Sequence, residues 1–228
     1  MEHSLQTYIS FIFNNDGERG YEQFFDDVDD IQKELIELEL HENPDIALNV
    51  FHNALLNIDE YLCDYTPHQL SNAIDYVFNA SLSDLGICYR IDELDLGKKQ
   101  ESIHALSKLF EVTFNQTAEP VLGHLSQKVK NRENRHLNSV CYMFWDTACI
   151  PYNCGEDITL ACIEVMRKCA RSSNIAIVEG ALHGLGHMIG SGHDALIRQC
   201  IESANLDFGV QSKALRIYAD AAKTGMVQ

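Results

Sequence analysis

The run Phe24-Phe25-Asp26-Asp27-Val28-Asp29-Asp30-Ile31-Gln32-Lys33-Glu34-Leu35-Ile36-Glu37-Leu38 decides the architecture. Its apolar residues Phe24, Val28, Ile31, Leu35 and Leu38 recur at gaps of four, three, four and three. That spacing keeps one stripe of a helix in the core, whereas a half-buried strand would alternate every second residue. The same spacing continues outward, beginning with Leu5, Tyr8, Ile9 and Ile12, and alternating runs are almost absent. Helix starts are marked by Asn43-Pro44 and Thr66-Pro67, each a capping residue before a proline whose fixed φ suits the first turn. Thr117 is expected to cap the segment holding Pro120, and Pro151 to lie in a loop. The chain thus reads as all-α, with about eleven helices expected at 4–14, 21–40, 45–63, 67–82, 99–115, 118–130, 135–150, 156–172, 174–189, 194–204 and 209–223. Short connections make consecutive helices antiparallel neighbours. The stretch 83–96 is expected to be an extended excursion or a further short helix.

A faint repeat runs through the second half. Ala105-Leu106, Cys141-Tyr142, Ala181-Leu182 and Ala214-Leu215 are separated by 36, 40 and 33 residues. With two helices per unit, that period fits an α-solenoid of helix hairpins, the alternative being a compact helical bundle. Length and composition agree with an ordinary globular chain: 228 residues, 46% hydrophobic and 22% charged.

Charge divides the chain. The net charge is −17, which disfavours direct binding to nucleic acid or an anionic membrane and favours a cationic partner. Residues 1–97 carry 21 acids and 3 bases, whereas 98–228 are nearly balanced, with 13 acids and 14 bases. We therefore separate an acidic helical part, 1–97, from a repeat part, 98–228, within one continuous domain. Asp26, Asp27, Asp29, Asp30, Glu34 and Glu37 form the densest acidic stretch and are the expected partner-binding residues. Like charges three and four apart oppose helix formation by a few tenths of a kcal/mol each, partly compensated near the helix start by its dipole; the stripe is read as a binding surface, the alternative being a solvated face.

Elsewhere the residues favour structure over chemistry. Five of the eight cysteines fall in the spacing Cys141-x7-Cys149-x4-Cys154-x7-Cys162-x6-Cys169, which holds no Cys-x2-Cys pair. Structural zinc is not expected from it; small buried thiols are. The amino terminus Met1-Glu2-His3-Ser4 lacks the basic and apolar regions of a signal peptide, and no apolar run reaches the ~18–20 residues of a membrane span. A cytoplasmic location with reduced thiols is expected. His183 and His187 lie four apart, as a metal pair would, with His193 close behind. A zinc protease places glutamate after the first histidine, however, and Gly184 stands there. Gly180 and Gly184 share a helix face and suit close packing, so the segment 180–187 is expected to be core. The aromatic run Cys141-Tyr142-Met143-Phe144-Trp145-Asp146 is likewise read as a buried spine. No phosphate loop or nucleophile elbow occurs; no catalytic residue, metal or cofactor is expected.

The aromatic helix Cys141–Asp146, followed about forty residues later by Ala181-Leu182-His183-Gly184-Leu185-Gly186-His187, resembles bacterial HEAT-like helical-repeat proteins. The resemblance covers residues 100–225 and includes immunity proteins of polymorphic and contact-dependent toxin systems. It departs from the usual HEAT pattern of a first-helix proline and regular Asp and Arg in the second helix. HEAT-like iron hydroxylases use several His-Glu pairs, and this chain has only His41-Glu42. The resemblance implies a non-enzymatic immunity protein that binds a cognate protein toxin, such as a basic nuclease domain, with an acidic surface. The alternative is a HEAT-like scaffold or regulatory adaptor.

Overall fold

Helical spacing becomes helix throughout the computed structural model, which describes residues 3–14, 28–61, 65–83, 85–123, 130, 132–148, 150–152 and 154–227. Among the described residues the helices are α1 (Leu5–Phe13), α2 (Val28–Glu42), α3 (Pro44–Leu56), α4 (Ile58–Tyr61), α5 (Pro67–Phe78), α6 (Leu96–Lys108), α7 (Asn115–Thr117), α8 (Arg132–Thr147), α9 (Glu156–Cys169), α10 (Ile175–His187), α11 (Asp194–Glu202) and α12 (Ser212–Ala222). There is no strand among them, and one isolated bridge joins Asn79 to Ala148. None of these helices is long and apolar enough to cross a membrane.

Side-chain caps open α1, α5, α6 and α10, from Ser4, Thr66, Asp95 and Asn174. Thr66 and Gln69 form a reciprocal capping box at α5, with Pro67 in its first turn. Asn43 behaves differently from the expectation. Its side chain donates to Glu39 O, 2.9 Å away, and so closes α2 rather than opening α3. The stretch 83–96 resolves as the short-helix alternative, a 3₁₀ turn at Leu85–Arg90.

Two expectations need correction. Residues 118–122, predicted to start a helix, are not helical; residues 124–129 lie outside the described residues. Thr117 ends the preceding helix, its hydroxyl donating to Thr113 O, and the chain turns extended at Ala118. Asn138 on α8 then holds the strip by donating to Glu119 O at 2.9 Å and accepting from Glu119 N at 3.0 Å. These side-chain bonds satisfy backbone groups that a helix would otherwise pair. The other departure is a π-helical segment, Leu109–Phe114, interposed between α6 and α7.

Helix α8 is the middle of the structure. It packs against α5 on one side and α10 on another, while α6 receives both α3 and α9 and α12 closes on α10. Trp145, fully buried, stacks on Phe110 of the π segment at 5.7 Å and 6°, with Phe144 edge-on at 5.0 Å. Phe144 also meets Phe78 of α5 at 5.2 Å. The acidic half and the repeat half therefore share one apolar cluster.

Candidate functional site

The acidic stripe is placed only in part. Asp26 and Asp27 lie outside the described residues, and Asp29 and Asp30 fall in the first turn of α2. Glu34 is exposed. Glu37, by contrast, is half-buried and accepts a 2.5 Å hydrogen bond from the Tyr76 hydroxyl, tying α2 to α5. It belongs to the packing between those helices. Tyr76→Phe is accordingly expected to lower stability by about 1–2 kcal/mol in denaturant melts, the worth of a hydrogen bond to a charged acceptor.

Three lysines of α6 face this half. Lys98 Nζ donates to Asn49 Oδ1 at 2.5 Å, and Lys99, almost fully buried, donates to Ile91 O at 2.8 Å. Lys108 caps Leu56 O at 2.5 Å and reaches Asp59 among the described carboxylates, at 3.3 Å. All three come from α6 and turn toward amide or carbonyl oxygens of the acidic half. Glu34, Glu42, Glu60, Asp92 and Glu93 remain exposed, with no ion pair to a described cation.

A second constellation sits between α8 and α10. Gly180 and Gly184 form a seam along α10. A Cβ at Gly180 would fall 2.5 Å from Cys141 O, and one at Gly184 would fall 2.4 Å from Trp145 Cβ. The expected close packing is present. That approach carries Asp146 of α8 to His183 and His187 of α10, and one ligand-type atom from each lies within 4.8 Å of the others. The two histidine Nε2 atoms are 3.2 Å apart, and His187 Nε2 is 3.6 Å from Asp146 Oδ1. His183 is buried, while His187 and Asp146 are exposed. Its other nitrogen, Nδ1, is 2.7 Å from the Tyr218 hydroxyl, which in turn is 2.8 Å from that of Tyr142. Burial above all, then the bond to Tyr142, pushes the Tyr218 hydroxyl well above its ordinary range, so it stays protonated. His193 stands at the amino end of α11, outside this group.

The sequence reading paired His183 with His187 but not with Asp146 or Tyr218. The faint repeat does not align these residues: Asp146 lies five residues beyond Cys141, whereas His183 and His187 lie two and six beyond Ala181. Comparison of the chain with protein-family models, curated proteins and solved structures finds no match.

Proposed function

We propose that this protein is an immunity protein. It would neutralise a cationic protein toxin, such as a basic nuclease domain, by covering it with the acidic surface of its amino-terminal half. The observation that supports this reading is that Lys98, Lys99 and Lys108 bond amide and carbonyl oxygens, while Glu34, Glu42, Asp92 and Glu93 face solvent with no ion pair to a described cation. Such a surface accelerates encounter with a basic partner and rejects nucleic acid that would compete for it. Inhibition by occlusion requires no chemistry from the inhibitor.

Co-expression with the protein encoded by the adjoining reading frame tests the reading, scored by rescue of growth and by co-purification. Failure of both would exclude it. With a complex in hand, changing Asp26, Asp27, Asp29, Asp30 and Glu34 to amides is expected to slow association about tenfold at low salt and to flatten its salt dependence. The same variant should keep its helical fold, the relief of like-charged neighbours offsetting the loss of acids from the first turn of α2. Glu37 is left intact because its carboxylate holds Tyr76. An unchanged on-rate in the folded variant would move the interface away from the stripe.

A further inference from the structure

We propose that His183 Nε2, His187 Nε2 and a carboxylate oxygen of Asp146 bind one divalent transition-metal ion of zinc type, with a coordination position left facing solvent. The two histidines lie one helical turn apart on α10, so their rings project from the same face. Asp146 approaches from α8, drawn in by the glycine seam. A tetrahedral ion with bonds of about 2.0–2.1 Å holds its ligand atoms roughly 3.3–3.4 Å apart. The observed separations of 3.2 Å between the two nitrogens and 3.6 Å from His187 to Asp146 bracket that value. Asp146 is exposed, and its carboxylate oxygen lies within 4.8 Å of the His183 ligand atom.

The surroundings of His183 fit the same role. For Nε2 to offer its lone pair to a metal, the ring proton must sit on Nδ1. Nδ1 then donates to Tyr218 Oη at 2.7 Å, and the Tyr218 hydroxyl donates onward to Tyr142 Oη at 2.8 Å. Metal-bound histidines are oriented in this way, by a partner on the nitrogen that does not bind. A donor set of two imidazoles and one carboxylate suits zinc, cobalt, nickel or copper, and not magnesium or calcium, which prefer oxygen alone. Gly184 stands where a zinc protease of the His-Glu-x-x-His type has its glutamate, so that motif's base is missing here.

The test uses the full, tag-free chain after chelator treatment, titrated with Zn²⁺ by calorimetry and with Co²⁺ by visible absorption. One ion per chain, a tetrahedral Co²⁺ spectrum and a rise in melting temperature are expected. His187→Ala and Asp146→Asn, both at exposed positions, should each weaken binding about tenfold or more, and Tyr218→Phe should weaken it about 10–100-fold with the stoichiometry kept. Absence of saturable one-to-one binding would overturn the site. So would binding that His187→Ala and Asp146→Asn leave unchanged, since the ion would then lie on other surface histidines. Should either variant fail to fold, the other decides the matter alone.

Discussion

Gly184→Ala is expected to lower the unfolding free energy by about 2–3 kcal/mol, and Gly180→Ala by a similar amount. Helix propensity alone predicts the opposite, because alanine in a helix is favoured over glycine by about 1 kcal/mol. Packing decides the sign. The new methyl at residue 184 would stand 2.4 Å from Trp145 Cβ, 2.7 Å from its Cγ and 2.9 Å from Met166 Sδ, whereas carbon atoms pack at about 3.5–4.0 Å. Trp145 cannot swing aside, because its ring is stacked on Phe110 and flanked by Phe144. At residue 180 the obstacle is Cys141 O, a backbone atom of α8. Relief therefore requires α10 to move off α8, which loosens the contact along the whole helix. One displacement relieves both clashes, so the double variant should cost less than the sum of the singles. Gly190→Ala supplies the contrast: its φ is +94° with nothing near the added carbon, so only left-handed strain of about 1–2 kcal/mol applies. Chemical denaturation of the four variants checks the order. A Gly184→Ala protein as stable as the parent would show that the two helices are held apart by other contacts.

That seam also marks the boundary of what the sequence displays. Helix class was legible because burial on one face leaves a periodic trace, and Thr66-Pro67 was legible because a cap is a local structure. Asn43 carried the same local signature, yet its amide found the carbonyl of Glu39 behind it. Both uses satisfy an orphan backbone group, and nothing in neighbouring residues distinguishes them. The segment after Thr117 was misread for a tertiary reason: Asn138, nineteen residues on, clamps Glu119. The π segment at Leu109–Phe114 is equally hidden, since its wider turn changes which residues face inward only after the neighbours are in place. It leaves Phe110 and Phe114 both fully buried and 5.0 Å apart. For the candidate sites the division is sharper still. The acidic stripe is visible in a count of charges, but the inward turn of Lys98, Lys99 and Lys108 is not. His183 and His187 are visible as a helical pair; their convergence with Asp146 exists only because two glycines let two helices touch.

Raising the pH is expected to unfold the protein at about pH 10–11.5, through its buried thiols. Cys88, Cys141, Cys162 and Cys169 are nearly or fully excluded from solvent and unpaired by disulfides. Burial pushes the Cys88 thiol from 9.0 up to about 12, only partly offset by the backbone amide of Tyr89. Burial also holds the thiols of Cys141 and Cys162 well above 9.0, with the neighbouring Cys169 and Cys154, respectively, adding to it. Cys169 is raised in the same direction, again by burial first. The folded chain thus keeps these protons at pH values where the unfolded chain releases them. Stability is fully present below about pH 9 and falls by about 1.4 kcal/mol per thiol per pH unit above it, until the folded-state value is reached. Four such groups together remove roughly 5 kcal/mol per pH unit, against a typical total of about 5–15 kcal/mol. Tyr89, fully buried beside Cys88 and raised above 10.0 for the same reason, steepens the fall at higher pH. The helical circular-dichroism signal, followed against pH under reducing conditions, should collapse cooperatively. Cys141→Ala combined with Cys162→Ala should make the decline shallower even though it lowers stability at neutral pH by opening small cavities. Those opposite effects separate ionisation from packing. Helices that persisted unchanged to pH 12, with no decline in stability above pH 9, would show that ionisation of these thiols is not coupled to unfolding.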